Sequence, residues 1–300
     1  MLTIGSRGSQ LALWQARWVQ ARLQSFGMET RIEIIHTTGD KITDVALSKV
    51  GTKGLFTKEI EEALLGGAID LAVHSLKDMP TELPDGLTLA AIPEREDPRD
   101  AMVGRSLASL PLKGKVGTSS LRRAAQLRAT RPDLEIENIR GNVDTRLRKL
   151  DEGQYDAIVL ASAGLRRLGW ENRITELLDP EVMCPAVGQG ALAVETRADG
   201  GEAEGMARRL EHRESRIAVT AERAVLRAMG GGCQVPIGAH ATVDGEVVQL
   251  RAIIVSPDGT EIIRRHASGA ARDAAVIGRA LGDELLAQGG RQILEAVYEA

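Results

Sequence analysis

Aromatic side chains are scarce in this chain: Phe26, Phe56, Trp14, Trp18, Trp170, Tyr155 and Tyr298 are all that its 300 residues contain. Aliphatic packing must therefore make the core, and the stacking platforms that grip single-stranded nucleic acid are missing. The two cysteines, Cys184 and Cys233, form no C-x-x-C pair, and the five histidines are scattered, so no zinc site, other metal centre or disulfide framework is indicated. No run approaches the roughly 18 apolar residues of a membrane span. The opening residues, M-L-T-I-G-S-R-G-S-Q, lack the apolar stretch of a secretory signal. These absences lead us to expect a soluble cytoplasmic protein in a reducing compartment, with no membrane partner. A net charge of −4 opposes general affinity for nucleic acid. The phosphate-binding pattern G-x-x-x-x-G-K-[ST] is also absent. The nearest stretch, V-G-T-K-G-L-F-T-K from Val50 to Lys58, has the wrong spacing, although Lys49, Lys53 and Lys58 place positive charge there.

What is present is an alternation. Short β-like runs at Thr3–Ile4, Arg31–His36, Asp70–Val73, Leu87–Ile92, Leu134–Ile139, Asp156–Ala161 and Ala191–Glu195 interleave with helical patterns. Those patterns cover Ser9–Phe26, Thr57–Gly66, Ser119–Thr130, Asn142–Gly153 and Glu202–Glu211. Such alternation predicts α/β lobes with parallel or mixed sheets and helices on both faces. The charged connector Pro93–Pro98 marks a first crossing between two lobes, and P-A-V-G-Q-G at Pro185–Gly190 a second, hinge-like one. Two crossings make the first lobe discontinuous, so the expected domains are 1–93 with 191–211, then 99–186, then a small α+β unit over 214–300. In that last unit a long helix leads into G-G-G-C-Q-V-P-I-G. A hairpin of Val247–Val255 and Glu261–His266 about S-P-D-G follows, and two helices close the chain.

Three consecutive glycines free the backbone to hold Cys233 out of the packed body, and Pro236 stiffens the far side. The thiol follows a helix C-terminus, whereas a low-pKa thiolate would favour an N-terminus. Cys233 thus reads as an attachment point rather than a turnover nucleophile; by itself, however, the loop better fits a glycine turn around a small buried thiol.

Four segments feed a glycine or hydroxyl cluster into a helix with arginine alongside: Ser6–Gln10, Gly117–Arg123, Ile139–Arg148 and Ser162–Gly169. Free N–H groups at helix starts attract anions. Arg122 and Arg123 in a first turn cost about 0.3–1 kcal/mol each, which a bound anion would remove. Guanidinium forks suit carboxylates and phosphates, so a polyanionic small molecule fits the set. The run I-D-L-A-V-H-S-L-K-D-M-P places Lys77 and Asp78 just beyond a strand end, where α/β sheets hold their chemistry. Asp78 is the acid/base candidate, although an Asp before Met-Pro also suits a plain turn; His74 is a lesser one because it belongs to the strand.

Taken in order, A-V-H-S-L-K-D-M-P, G-T-S-S-L-R-R, I-R-G-N-V-D-T-R-L, V-G-Q-G-A-L and G-G-C-Q-V-P-I-G resemble the porphobilinogen deaminase family. The resemblance runs from S-R-G-S-Q-L-A-L-W-Q into the third unit. It implies a transferase of tetrapyrrole biosynthesis that joins four porphobilinogen molecules with loss of ammonia and releases hydroxymethylbilane. It also implies two periplasmic-binding-protein-like lobes with mixed sheets plus a small C-terminal α+β domain. A dipyrromethane cofactor, covalently bound as a primer, would sit on Cys233 through a thioether. Asp78 would hold pyrrole N–H groups, stabilise positive charge as ammonia leaves, and help pass the proton.

By the same resemblance Lys77, Asp78, Thr118, Ser119, Ser120, Arg122, Arg123 and Arg146 would bind the cofactor. Arg7, Ser9, Lys49, Lys53, Arg140, Arg146, Arg167 and Gln189 would bind substrate. Arg166 stands beside Arg167, and which of the two points inward is left open. Cys184 matches no attachment motif and reads as a packed or hinge thiol. A monomer that hands its product to a cyclising synthase is also implied. The rival reading is a non-catalytic two-lobe binding protein for a polycarboxylate; a displayed cysteine has no use there.

Overall fold

Short runs of buried aliphatic residues, several of them followed by a helix, set the architecture. The structure, a computed structural model, describes residues 1–41, 54–230 and 235–298. Lys49, Lys53 and Cys233 lie outside the described residues. The chain divides into two units, Met1–Glu96 with Ala191–Arg216, and Asp97–Gly190 with Ile217–Ala300.

The first unit contains β1 (Leu2–Ser6), α1 (Gln10–Ser25), β2 (Thr30–Ile34), a single turn α2 (Thr38–Lys41), α3 (Lys58–Leu65), β3 (Leu71–Ser75) and β4 (Leu87–Ala91). After the chain returns it adds β10 (Leu192–Arg197) and α7 (Glu202–Arg208). The sheet order is β2-β1-β3-β10-β4, with β1 parallel to β2 and β3, and β10 antiparallel to both its neighbours. Every residue of β1 is buried, as befits a parallel strand covered on both faces. One face packs Leu71, Val73 and Val194 against Ala16, Val19 and Leu23 of α1 and Ala207 of α7. The other packs Ala72 and Leu87 against Ile60 and Leu64 of α3.

The second unit contains β5 (Asp100–Val103), β6 (Lys115–Gly117), α4 (Leu121–Thr130), β7 (Glu135–Glu137), α5 (Val143–Asp151), β8 (Ala157–Ala161), α6 (Ser162–Arg167) and β9 (Ile174–Leu177). Its sheet order, β7-β6-β8-β5-β9, repeats the first pattern: three parallel strands, then one antiparallel strand that follows a crossing. The same unit carries a three-stranded antiparallel sheet of β11 (Ile237–Asp244), β12 (Val247–Val255) and β13 (Ile262–Ala270). Over it lie the end of α8 (Arg213–Ala228), α9 (Ala274–Leu285) and α10 (Arg291–Tyr298), sharing a core of Val225, Ile237, Leu250, Ile254, Leu281 and Ile293. Gly278 of α9 sits so close to α8 that a Cβ would lie 2.1 Å from the Ala221 carbonyl oxygen, so only glycine permits the crossing.

The two mixed α/β sheets and the C-terminal sheet-and-helix part agree with the expected fold class. The strand–helix order of the sequence is realised throughout, with ends that coincide or shift by up to four residues, the largest shift being at the end of β13. The sequence pattern marks no element at β5, β6, β9, β11 or the single turn α2, whereas α6 falls in the Ser162–Gly169 segment expected to open a helix. D-A-M-V and K-V-G are too short to display a period, and β11 presents alanine at inward positions 239 and 241, which hides its alternation.

Candidate active site

In the first unit, the loops after β1 and β3 leave the same end of adjacent parallel strands, which is where open α/β sheets bind ligands. After β1 come Arg7 and Ser9. Ser9 caps α1, its oxygen accepting the Ala12 N–H at 3.3 Å. Arg7 is half-buried, its guanidinium carbon 4.0 Å from the Phe56 ring centroid. After β3 a single 3₁₀ turn, Leu76–Asp78, presents half-buried Lys77 and exposed Asp78. Among the described residues the Asp78 carboxylate forms no ion pair, so it is available to a ligand N–H. His74, the lesser candidate, is a strand residue with its ring buried.

The second unit gathers more. Thr118–Ser120 follow β6, Arg140 follows β7, and Arg167 ends the helix that follows β8, all beyond the same ends of three adjacent parallel strands. Ser120 caps α4 by accepting the Arg123 N–H at 3.4 Å, and Thr118 Oγ1 accepts the Ser120 N–H at 3.2 Å. Ser119 donates to the Ile139 carbonyl oxygen, tying this loop to the neighbouring one.

Arg122 and Arg123 point into the protein. Nη1 of Arg122 lies 2.8 Å from Asp100 Oδ2 and donates to the Cys184 carbonyl at 2.5 Å. Arg123 reaches Asp100 Oδ1 at 2.9 Å through Nε and the Val159 carbonyl at 3.1 Å through Nη1. Gln189 is buried beside them, its Nε2 donating to Asp100 Oδ1 at 2.9 Å and to the Pro98 carbonyl at 2.7 Å. The anion that relieves the two first-turn cations is therefore Asp100, an internal carboxylate. This corrects the inference that their placement by itself calls for a bound anion. Burial would raise the Asp100 carboxyl, but the Arg122 and Arg123 charges outweigh it and hold the pKa at about 2.

The sign of the pH effect follows. A carboxyl depressed from 3.8 to about 2 stabilises the folded state above pH 4 and loses that contribution, about 2 kcal/mol, as pH falls toward 2. Denaturant titrations between pH 5 and pH 2 should show this component in the parent and not in Asp100→Asn; equal slopes in both would contradict the pairing.

Arg140 and Arg146 are different. Both are half-buried, and among the described residues neither forms an ion pair. Nε of Arg146 donates to the Gly141 carbonyl at 2.8 Å. Burial first, and then the Arg123 and Arg140 charges, push the Arg146 pKa down to about 10. Cations crowded together without a carboxylate, beside a hydroxyl loop, suit a ligand that brings carboxylates of its own. Arg167 is buried and donates through Nη2 to the Gly190 carbonyl at 2.6 Å, whereas Arg166 is half-buried with Nη2 3.7 Å from Asp97 Oδ2.

Sequence reasoning missed Asp100 and Glu222. Glu222 is fully buried on α8, its two oxygens accepting the Gly188 and Ala241 N–H groups at 2.8 Å each. It thereby ties the second crossing to β11. Two adjacent arginines heading a helix were a signal that an acid must lie near; nothing said which one. Cys184 packs with Ala125, Ile253 and Val255, and burial pushes its thiol up to about 12. Iodoacetamide applied to the native protein at neutral pH should leave Cys184 unmodified by peptide mass mapping; rapid labelling would contradict this packing.

The fold is α/β, and in the second unit the hydroxyl loop beside Arg140 and Arg146 is chemically suited to a multiply charged anionic small molecule. The family model described as "Porphobilinogen deaminase, dipyromethane cofactor binding domain" matches residues 2–205, and "Porphobilinogen deaminase, C-terminal domain" matches residues 216–287. The chain is 52% identical to the porphobilinogen deaminase of Syntrophobacter fumaroxidans over 100% of its own length and 99% of that protein. It is 55% identical to that of Roseiflexus sp. strain RS-1, covering 98% of each. A solved periplasmic substrate-binding protein of an ABC transporter from Coxiella burnetii aligns with 74% of this chain and 97% of its own, at 14% identity and a TM-score of 0.44. The chain belongs to the porphobilinogen deaminase family.

Proposed function

We propose that this chain is a transferase of tetrapyrrole biosynthesis with hydroxymethylbilane synthase activity, joining four porphobilinogen molecules with release of one ammonia each. Family membership over the full length carries this reading. Nothing favours the non-catalytic binding protein. The dipyrromethane supplies, when bound, the pyrrole α-carbon to which new units are joined. Arg146 and the hydroxyls of Thr118, Ser119 and Ser120 would hold its carboxylates, with Arg122 and Arg123 steadied behind them by Asp100. Lys77 and Asp78 would meet its pyrroles, and Cys233 would anchor it through a thioether.

Incoming porphobilinogen brings an acetate and a propionate, for which Arg7, Ser9, Arg140, Arg146 and Arg167, with Lys49 and Lys53, are the proposed partners. Gln189 would serve by fixing Asp100 and Arg123. Asp78 accepts the pyrrole N–H, stabilises the positive charge that develops as ammonia leaves, and takes the proton released when the new carbon–carbon bond forms. We assign residues 1–93 with 191–211 and residues 99–186 to two α/β lobes that hold cofactor and substrate, and 214–300 to a C-terminal α+β domain that carries the cofactor cysteine. Among the described residues no helix is long and apolar enough to cross a membrane. A cytoplasmic monomer that passes its product to a cyclising synthase is part of the proposal and rests on family membership.

Purified protein given porphobilinogen should release ammonia mole for mole with substrate consumed and yield a linear tetrapyrrole by mass. Binding of porphobilinogen without ammonia release would overturn the proposal.

A further inference from the structure

The first unit holds a buried ionisable cluster that the reaction, as assigned above, does not use. His74 on β3 and Glu195 on β10 face the same side of the sheet, with His74 Nε2 3.0 Å from Glu195 Oε2 and side chains 5% and 0% exposed. Glu61, in the first turns of α3, is buried over that face. Oε1 of Glu61 and Oε1 of Glu195 are buried without a hydrogen-bond partner among the described residues. Burial, with a smaller contribution from the Glu195 charge, raises the Glu61 carboxyl against the opposing effect of the Thr57 side chain.

Stability alone does not account for such a pair, because an apolar pair of similar volume is often as stable or more so. Its position suggests what it does. β3 ends one residue after His74, the Leu76 N–H continues the ladder to the Ala191 carbonyl at 3.0 Å, and the next turn carries Lys77 and Asp78. On the opposite face Gln15 Nε2 of α1 donates to Ser75 Oγ at 2.9 Å. The strand end is therefore gripped from both faces by side-chain hydrogen bonds with fixed directions, which apolar contacts would not supply.

We propose that the His74–Glu195 pair, with Glu61 packed over it, is a positioning device that fixes the end of β3 and thereby aims the Asp78 carboxylate. This rests on the reading of Asp78 as the acid–base group, and the residues act through Asp78 without touching substrate.

The test compares Glu195→Gln, the double variant His74→Leu/Glu195→Leu and Asp78→Asn as purified holoproteins, by intact mass, melting temperature, kcat and KM for porphobilinogen. Both pair variants should carry the dipyrromethane mass and keep KM within about twofold, while kcat falls roughly ten- to hundredfold. The double variant should melt within a few degrees of the parent. If Glu195→Gln does not fold, the double variant, which removes both members of the pair together, carries the test alone. A double variant with parental melting temperature and parental kcat would overturn the proposal. Retained turnover in Asp78→Asn would instead overturn the acid–base reading, so the two failures are distinguishable.

Discussion

Replacement of Asp78 by Asn is expected to lower porphobilinogen turnover by about 10²- to 10⁴-fold, the range typical of a lost acid–base group, while leaving fold and cofactor in place. The side chain is exposed and, among the described residues, makes no ion pair, so its exchange for a near-isostere disturbs no packing. Asn retains an acceptor oxygen for a pyrrole N–H but not the charge that opposes a developing cation, and it takes no proton at neutral pH. The loss should therefore fall on kcat, with KM for porphobilinogen changed little. Near-parental kcat at unchanged cofactor content would remove Asp78 from the mechanism.

Arg123→Leu is expected to fail earlier, giving protein without the dipyrromethane mass, and to cost about 3–5 kcal/mol of stability, as breaking a buried pair usually does. Arg123 shares Asp100 with Arg122, reaches Val159 and meets Gln189, so its removal strands part of a buried carboxylate and loosens Gln189. Of a total stability on the order of 5–15 kcal/mol this is a large share. Asp100→Asn added to Arg123→Leu removes the stranded charge. It should regain part of the stability, read by denaturant titration, without restoring the cofactor. Recovery of both together would mean that Arg123 matters only to the fold.

The contrast between these two residues bears on what sequence can reveal. The place of Asp78 in a turn just past a strand end was legible from the aliphatic run before it, and the turn after β3 lies there. Ser9 was legible as a helix start and caps its helix, whereas the second start, expected at Ser119, is capped one residue later by Ser120. Arg122 and Arg123 were legible as cations in the wrong end of a helix, yet their partner was not. Asp100 lies 22 and 23 residues away, opens a four-residue strand too short to display a period, and follows a charged connector in which any acid looks solvated. Glu222 reads as one polar position of an amphipathic helix, because nothing local reports that two backbone N–H groups from distant segments converge on it. Local signals thus placed the loops, while the long-range ion pairs that hold those loops in shape appeared only once the chain was folded.

The most direct test of the central claim is the intact mass of the denatured protein, taken alongside Cys233→Ser, since a thioether survives denaturation and a bound ligand does not. The account predicts an excess over the sequence mass equal to two deaminated porphobilinogen units, absent from Cys233→Ser, and further additions of one such unit after exposure to porphobilinogen. No excess in the parent, before or after exposure to porphobilinogen, would contradict it.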